Sequence, residues 1–149
     1  MNIKFRKYDP LKPLVIPEYK TKGSAGMDIS SSSEEKIIIK VSERKLIPTN
    51  LVLEIPPKHE GQLRPRSGLA LKHGITVLNT PGTIDSDYRG EIKVLLINLG
   101  TEDFEICFGD RIGQLVISKY TQALLVYADE ISDTHRGDGG YGSTGISHK

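Results

Sequence analysis

The stretch Ile75-Thr-Val-Leu-Asn-Thr-Pro-Gly-Thr-Ile-Asp-Ser-Asp-Tyr-Arg-Gly-Glu-Ile-Lys-Val-Leu-Leu-Ile97 contains two runs rich in β-branched residues, with a turn signal at Pro81-Gly82 between them. Such runs, bounded by proline and glycine, are typical of β-strands joined by a hairpin. The segment from Leu78 to Glu91 is long enough for a wide hairpin, whose loosened pairing exposes backbone N–H and C=O groups. The stretch therefore predicts two strands and, between them, a loop that can hydrogen-bond a ligand.

The same pattern recurs along most of the chain. Short runs of β-branched residues alternate with turn signals such as Pro56-Pro57, Asn98-Leu-Gly100 and Gly109-Asp110. Many short strands at close spacing predict an all-β fold, a sandwich or jelly roll, without an internal repeat or an interior linker. The predicted strands are Ile37–Val41, Lys45–Ile47, Leu51–Ile55, Ile75–Leu78, Glu91–Ile97, Arg111–Ile117 and a weaker one at Leu124–Tyr127.

One short helix is predicted over Ser67–Gly74. It begins at a residue suited to the N-cap and ends at a glycine suited to the left-handed C-terminal position. Arg64-Pro-Arg66 precedes it, so two cations and a hydroxyl would lie beside outward-pointing N–H groups, as in an anion site. Alternatively, Ser67 only caps the helix and the arginines are solvated. The chain has no P-loop pattern, so any phosphate would be held in another way.

The loop after Pro81-Gly82 carries two alternating carboxylates, Asp85 and Asp87. Carboxylates in such a loop either orient a water molecule or bind a divalent cation. Aspartate is also a common turn former, and that interpretation stays open at this point. Tyr88 could pack on a sugar ring, or it could shield the apolar side of the hairpin.

The composition indicates a soluble globular protein: 149 residues, of which 37% are hydrophobic and 26% are charged. A net charge of +1 argues against a large nucleic-acid-binding surface. Cys107 is the only cysteine, so no internal disulfide can form, and we expect a buried thiol in a reducing compartment. No apolar leader or membrane-length run is found, so we expect no membrane partner and a cytoplasmic location, with a nuclear or organellar one left open.

The last fourteen residues differ in composition from the rest of the chain. Five of the ten residues from Arg136 to Gly145 are glycine, which carries a high backbone ordering cost, so we expect residues 136–149 to form a mobile arm after a domain at 1–135. The arm also carries a guanidinium, an aromatic ring and two hydroxyls. An arginine fork and hydroxyls suit phosphate oxygens, and an aromatic face suits a base.

Taken together, five segments resemble the five motifs of the trimeric dUTP pyrophosphatase (dUTPase) family, in the same order and over nearly the whole chain. The family resemblance implies a β jelly roll, a homotrimer and active sites that are each assembled from all three subunits. The five segments are Ala25-Gly-Met-Asp28, Arg64-Pro-Arg-Ser-Gly68, Asn79 through Gly90, Gly109-Asp-Arg-Ile-Gly-Gln114 and Arg136 through Gly145.

The resemblance also implies roles for the matching positions in hydrolysing dUTP to dUMP and pyrophosphate, which limits uracil incorporation into DNA and supplies dUMP for dTTP synthesis. Asp85 matches the aspartate that orients the attacking water, Tyr88 the ring under the deoxyribose, and Asp28 a carboxylate near the hydration shell of the metal. The residues that match substrate contacts are Arg66, Ser67, Gly68 and Gln114 on the phosphate side, Asn79, Gly82, Thr83 and Ile84 at uracil, and Arg136, Tyr141, Gly142, Ser143 and Thr144 in the arm.

The expected cofactor is Mg²⁺, because a triphosphate substrate brings it along and magnesium keeps most of its water ligands. Four histidines and one cysteine show no spacing typical of a zinc site. Two alternatives remain: a dCTP deaminase of the same fold, and a binding protein switched by nucleotide. The intact Asp85 loop and the arm speak against the deaminase.

Three features depart from the family pattern or stand out from it. Tyr141 replaces the more common phenylalanine and keeps a stacking face. Asn50 stands where glycine is frequent, and asparagine tolerates left-handed geometry. Ser30–Ser33 is unusually polar, which predicts a local surface loop.

Overall fold

The computed structural model of the chain describes residues 1–140, and Tyr141, Gly142, Ser143 and Thr144 lie outside them. Nearly all the regular structure is β. The strands are β1 Lys4–Lys7, β2 Gly26–Ser30, β3 Ile37–Ile39, β4 Arg44–Glu54, β5 His59–Arg64, β6 Ile75–Val77, β7 Gly82–Ile84, β8 Ile92–Asn98, β9 Phe104–Ile106 and β10 Arg111–Lys119, and the helix is α1 Ser67–His73.

The strands form two four-stranded antiparallel sheets, in the orders β1-β4-β8-β6 and β2-β10-β5-β7, and a small pair β3-β9. All three sheets contribute to one hydrophobic core, for example through Val94, Leu115 and Ile106, each at most 1% exposed. Inward side chains alternate with outward ones along β8, as expected for a strand with one buried face. Burying each such aliphatic side chain stabilises the fold by about 1.5–3 kcal/mol. The predicted jelly-roll fold with one short helix is confirmed.

Two of the predicted strands are parts of one continuous strand in the structure. Lys45–Ile47 and Leu51–Ile55 fall largely within β4, whose pairing with β8 shifts register between Pro48 and Leu51. Asn50 lies at this irregularity with φ of 56°, so the predicted left-handed geometry is confirmed.

The strand predicted at Leu124–Tyr127 is wrong. These residues form no strand, and their side chains are 78–93% exposed. High β-propensity here lacks a partner strand within the described part of the chain, and a lone strand has no ladder to stabilise it.

The helix begins one residue earlier than predicted. Arg66 occupies the N-cap position and makes no side-chain capping hydrogen bond, and Ser67 is the first helical residue, so the prediction of a Ser67 cap is wrong. The predicted end is confirmed: Gly74 has φ of 66°, and its N–H donates to the Ala70 carbonyl. A Cβ at Gly74 would lie 2.6 Å from Gly100 Cα, so a side chain is excluded by space as well as by φ.

Two local predictions about exposure are also wrong. Ser30, Ser31 and Ser32 are buried, because the loop before β10 covers them: Gly109 N donates to Ser31 O at 2.9 Å. Cys107 is exposed, because Ile106 is the inward residue of β9 and the chain turns immediately after it. Among residues 1–140, no helix is long and apolar enough to cross a membrane.

Candidate active site

The connection from β6 to β8 builds the first part of the site. β6 and β8 pair antiparallel, as the predicted hairpin requires, but the segment between them carries β7 into the other sheet, where it pairs with β5. This segment borders a cavity of about 480 Å³. The predicted residues that line it, called here the hairpin group, are Asn79, Gly82, Thr83, Ile84, Asp85 and Tyr88.

Buried and exposed residues alternate along β7. Gly82 and Ile84 are buried, whereas Thr83 and Asp85 are exposed. Within the described residues, the Asp85 carboxylate has no hydrogen-bond or ion-pair partner, so its oxygens are available to a water molecule or ligand. The missing side chain of Gly82 allows Asn79 to approach, because a Cβ there would lie 3.2 Å from Asn79 Nδ2.

Tyr88 closes the turn that follows Asp85. Its backbone N–H donates to Asp85 O at 3.2 Å, and its hydroxyl donates to Glu91 O at 3.1 Å. The side chain is nevertheless about half exposed. The aromatic ring is therefore held at one end by its hydroxyl while it borders the cavity.

A second cluster, called here the arginine group, consists of Asp28, Arg66 and Arg111. Asp28 Oδ2 accepts a hydrogen bond from Arg111 Nη1 at 2.9 Å, and Arg66 Nε lies 3.5 Å from Asp28 Oδ1. Arg66 Nη1 also donates to the Arg111 carbonyl at 3.0 Å. The Asp28 side chain is 8% exposed, so this carboxylate is compensated by two guanidinium groups where water is largely excluded.

Strand pairing explains why these residues meet. Asp28 on β2 lies opposite Gln114 on β10, and Gln114 lies opposite Arg64 at the end of β5. Three separated segments are thereby brought to one end of the sheet. Ser67 and Gly68 follow immediately as the first two residues of α1, and both are exposed.

The donor set does not fit a resident metal ion. Residues 1–140 contain no cluster of three His, Cys, Asp or Glu side chains that could hold one. Both oxygens of Asp28 already face arginines, whose positive charges oppose a cation. The water-mediated contact between Asp28 and a metal stays a prediction.

The two groups do not touch within one chain. No hydrogen bond or ion pair joins them among the residues that the structure describes. β5 separates β10, which carries Arg111, from β7, and neighbouring strands lie about 4.8 Å apart, so these two strands are on the order of 10 Å apart across the sheet. Arg136 is exposed, and its Nε donates to Gly139 O at 2.8 Å.

Two groups with shifted pKa lie outside both clusters. A hydrogen bond to Glu105 raises the pKa of Lys36, and a hydrogen bond from the Lys40 backbone N–H lowers the pKa of Glu43. Both belong to the surface around β3 and β4 and line neither cluster.

The sequence model of the dUTPase family matches residues 12–145, which is most of the chain. The chain belongs to the dUTPase family. It is 65% identical over 133 residues to the deoxyuridine 5'-triphosphate nucleotidohydrolase of Treponema denticola, covering 89% of this chain and 92% of that protein. It is 52% identical over 144 residues to the enzyme of the same name from Thermoanaerobacter sp., covering 97% of each.

Solved structures of dUTPases have the same fold. The dUTPase of Staphylococcus bacteriophage 80alpha, solved with dUPNHPP, superposes with a TM-score of 0.87 at 25% identity, covering 97% of this chain and 99% of that one. The family resemblance inferred from the five segments is therefore confirmed, whereas the roles of individual residues stay predictions.

Sequence reasoning assigned no role to Arg111, Glu91 or Tyr8. Arg111 stands inside the fourth dUTPase segment, but its partner Asp28 is 83 positions away, and only the β2–β10 register brings them together. Glu91 and Tyr8 border the same cavity as the hairpin group. Glu91 had a signal in the sequence, since it is a charged residue directly before a buried strand.

Proposed function

We propose that this chain hydrolyses dUTP to dUMP and pyrophosphate, and so limits uracil incorporation into DNA and supplies dUMP for dTTP synthesis. The observation that carries the proposal is the hairpin group: Asp85, a carboxylate without a partner among residues 1–140, stands beside an amide and an aromatic ring around one cavity. Membership of the dUTPase family and relatives at 52–65% identity that carry the nucleotidohydrolase name support it.

In the proposed mechanism, Asp85 acts on water. Its exposed carboxylate accepts a proton from a water molecule that attacks the α-phosphorus in line, with pyrophosphate as the leaving group. A positioned general base contributes about 10²–10⁴-fold to rate, and in-line geometry contributes through orientation. No covalent intermediate is required.

Recognition of uracil is assigned to Asn79 and to the backbone of Gly82, Thr83 and Ile84. β7 is an edge strand of its sheet, so the N–H and C=O groups on its outer side are not used by a neighbouring strand within the described chain. These groups can pair with the edge of a pyrimidine. Steric exclusion of a methyl group is worth about 1–3 kcal/mol, and mismatched donors and acceptors reject cytosine.

The phosphates are assigned to Arg66, Ser67, Gly68 and Gln114. The arginine group supports this, because Asp28 and the Arg111 carbonyl hold the Arg66 guanidinium beside Ser67. Mg²⁺ enters as part of the substrate complex, bound by phosphate oxygens and water rather than by a protein cage.

We further propose a homotrimer in which the hairpin group of one subunit faces the arginine group of another. The separation of the two groups within one chain supports this arrangement, as does the exposed apolar segment Leu124–Tyr127. Residues 136–149 act as an arm after a domain at 1–135: Arg136, Gly142, Ser143 and Thr144 contact the phosphates, and Tyr141 stacks on uracil. We expect the enzyme to act in the cytoplasm.

The proposal is tested by pyrophosphate release from dUTP, with dCTP, dTTP and UTP as comparators and with ammonia release measured in parallel. We expect turnover of dUTP to exceed that of dTTP and of UTP by at least about tenfold, the discrimination that one steric contact supplies, and that of dCTP by at least about a hundredfold, because cytosine leaves polar groups of the site unpaired. Ammonia release from dCTP would instead identify a deaminase. Nucleotide binding without turnover would favour the switched binding protein.

A further inference from the structure

The hydroxyl end of the Tyr88 side chain lies against Gly90. A Cβ placed on Gly90 would lie 2.6 Å from Tyr88 Cζ and closer still to the hydroxyl oxygen. Real Cβ atoms essentially never approach so closely, so the ring occupies the space that any other residue at position 90 would fill. The same two residues line the cavity of the hairpin group.

Backbone conformation does not explain why position 90 is glycine. Within residues 1–140, the glycines with positive φ are Gly74, Gly109 and Gly137, and Gly90 is not one of them. An alanine could therefore adopt this backbone geometry without strain. The methyl group of an alanine would, however, displace the Tyr88 ring.

The same hydroxyl end of the ring is also held by a hydrogen bond. The Tyr88 hydroxyl donates to Glu91 O at 3.1 Å. Glu91 is itself held, because its Oε1 accepts a hydrogen bond from the Asn50 backbone N–H at 2.9 Å and β8 begins at the next residue, Ile92. The Tyr88 side chain is thus held between the anchored carbonyl of Glu91 and Gly90, which has no side chain.

We propose that Gly90 is a positioning residue that sets where the Tyr88 ring stands in the cavity, and that it thereby sets the selectivity for deoxyribose over ribose triphosphates. The inference rests on the proposed function, in which the ring packs under the sugar. The Tyr88 ring can exclude a 2′-hydroxyl only if it keeps a fixed position, and its contact with Gly90 maintains that position.

The substitution Gly90→Ala tests this without rebuilding the turn. The atoms that the new methyl would meet are the far end of a side chain that is 47% exposed, so the ring can move away while the backbone stays. We expect a folded protein in which the ratio of kcat/KM for dUTP to kcat/KM for UTP falls about tenfold, the size of discrimination that one steric contact supplies.

A double-mutant cycle separates this role from a general structural one. In a Tyr88→Ala background there is no ring to displace, so adding Gly90→Ala should change the dUTP/UTP ratio less than about twofold, within the additivity expected of independent sites. Tyr88→Phe keeps the ring and loses only the hydrogen bond to Glu91, and should lie between wild type and Gly90→Ala. Gly23→Ala is the matched control, because a Cβ at Gly23 meets nothing within 4 Å.

The outcomes are distinct. Either of two results overturns the inference and leaves the proposed function standing. The first is a wild-type dUTP/UTP ratio in folded Gly90→Ala. The second is a loss of this ratio on Gly90→Ala that is equally large with and without the Tyr88 ring. A wild-type protein that does not prefer dUTP to UTP overturns the proposed function, and the inference with it. Thermal unfolding of each variant shows whether a change in ratio accompanies a loss of structure.

Discussion

Asp28 and Arg111 form a hydrogen-bonded ion pair at 2.9 Å between β2 and β10, with the Asp28 side chain only 8% exposed. The pair closes one end of the sheet and fixes the Arg111 carbonyl, to which the Arg66 guanidinium donates. The stability of the fold and the proposed phosphate binding therefore depend on the same carboxylate.

We expect Asp28→Asn to destabilise the protein by about 1–3 kcal/mol, because two guanidinium groups lose their counter-charge. The KM for Mg–dUTP should rise as Arg66 loses its orientation. Urea unfolding and steady-state kinetics measure the two effects. Glu54→Gln is the control, since the Lys4–Glu54 pair is well exposed and such pairs are worth about 0–1 kcal/mol.

Equal destabilisation by the two substitutions would contradict the special role of Asp28. Restoration of Asp28→Asn activity by higher Mg²⁺ concentrations would instead support the predicted contact with the hydration shell of the metal.

The second prediction concerns Asp85, the proposed general base. Asp85→Asn should lower kcat by about 10²–10⁴-fold with little change in KM, because the amide cannot accept the proton from water. Pyrophosphate release measures it. Asp87→Asn, two residues further on and equally exposed, should stay within a few-fold of wild type. Comparable losses in both variants would show that loop charge, rather than proton transfer, matters.

The third prediction concerns the arm. Removal of residues 136–149 should leave the β fold intact, because the arm from Arg136 to Gly140 makes no contact with the core among the described residues. Turnover should fall about 10²-fold or more, since cationic and hydroxyl contacts to the phosphates are lost. Circular dichroism and pyrophosphate release measure the two effects. Removal of 146–149 alone, which spares the fifth segment, is the control; if it reduced turnover as much, the motif would not be the cause.

The fourth prediction concerns assembly. Leu125 is 93% exposed, so Leu125→Glu should leave the folded chain unchanged but weaken the proposed trimer at least about tenfold, because a charge buried in the proposed subunit contact is unfavourable. Sedimentation equilibrium measures the association, with the 95% exposed Leu11→Glu as a control outside this segment.

The proposed sharing of active sites between subunits makes a further prediction. Asp85→Asn and the arm-deleted chain, each nearly inactive, should recover activity when their subunits are exchanged, because some sites then combine an intact hairpin with an intact arm. No recovery in mixed trimers of verified composition would mean that both parts come from one chain.

The fold class followed from the sequence because inward positions of β8 and β10 carry a continuous apolar pattern. β1 and β5 escaped prediction, since Lys4–Lys7 and His59–Arg64 are mostly polar and become strands only through their neighbours' hydrogen bonds. Leu124–Tyr127 shows the converse, high β-propensity without a partner. Propensity is local, whereas pairing is a property of the whole fold.

The candidate site also has a part that local sequence patterns predicted and a part that depends on the whole fold. The hairpin group is contiguous in sequence, so local reasoning found it. The pairing of Arg111 with Asp28 spans 83 positions and depends on strand order, which single-sequence reasoning did not supply. The seat of the Tyr88 ring on Gly90 depends on a side-chain rotamer, which residue types alone do not specify.

β5 pairs with β10 along one edge and with β7 along the other. A slip of β5 by one residue would turn its side chains to the opposite face and would displace the strands that carry both groups at once. Gly61 at its centre adds to this constraint, since a Cβ there would meet Ile55, Leu115 and Ile84 at 3.1–3.3 Å. Insertions and deletions should therefore be tolerated in the surface turns of this protein but not in this six-residue strand, which contributes few of the site residues and aligns most of them.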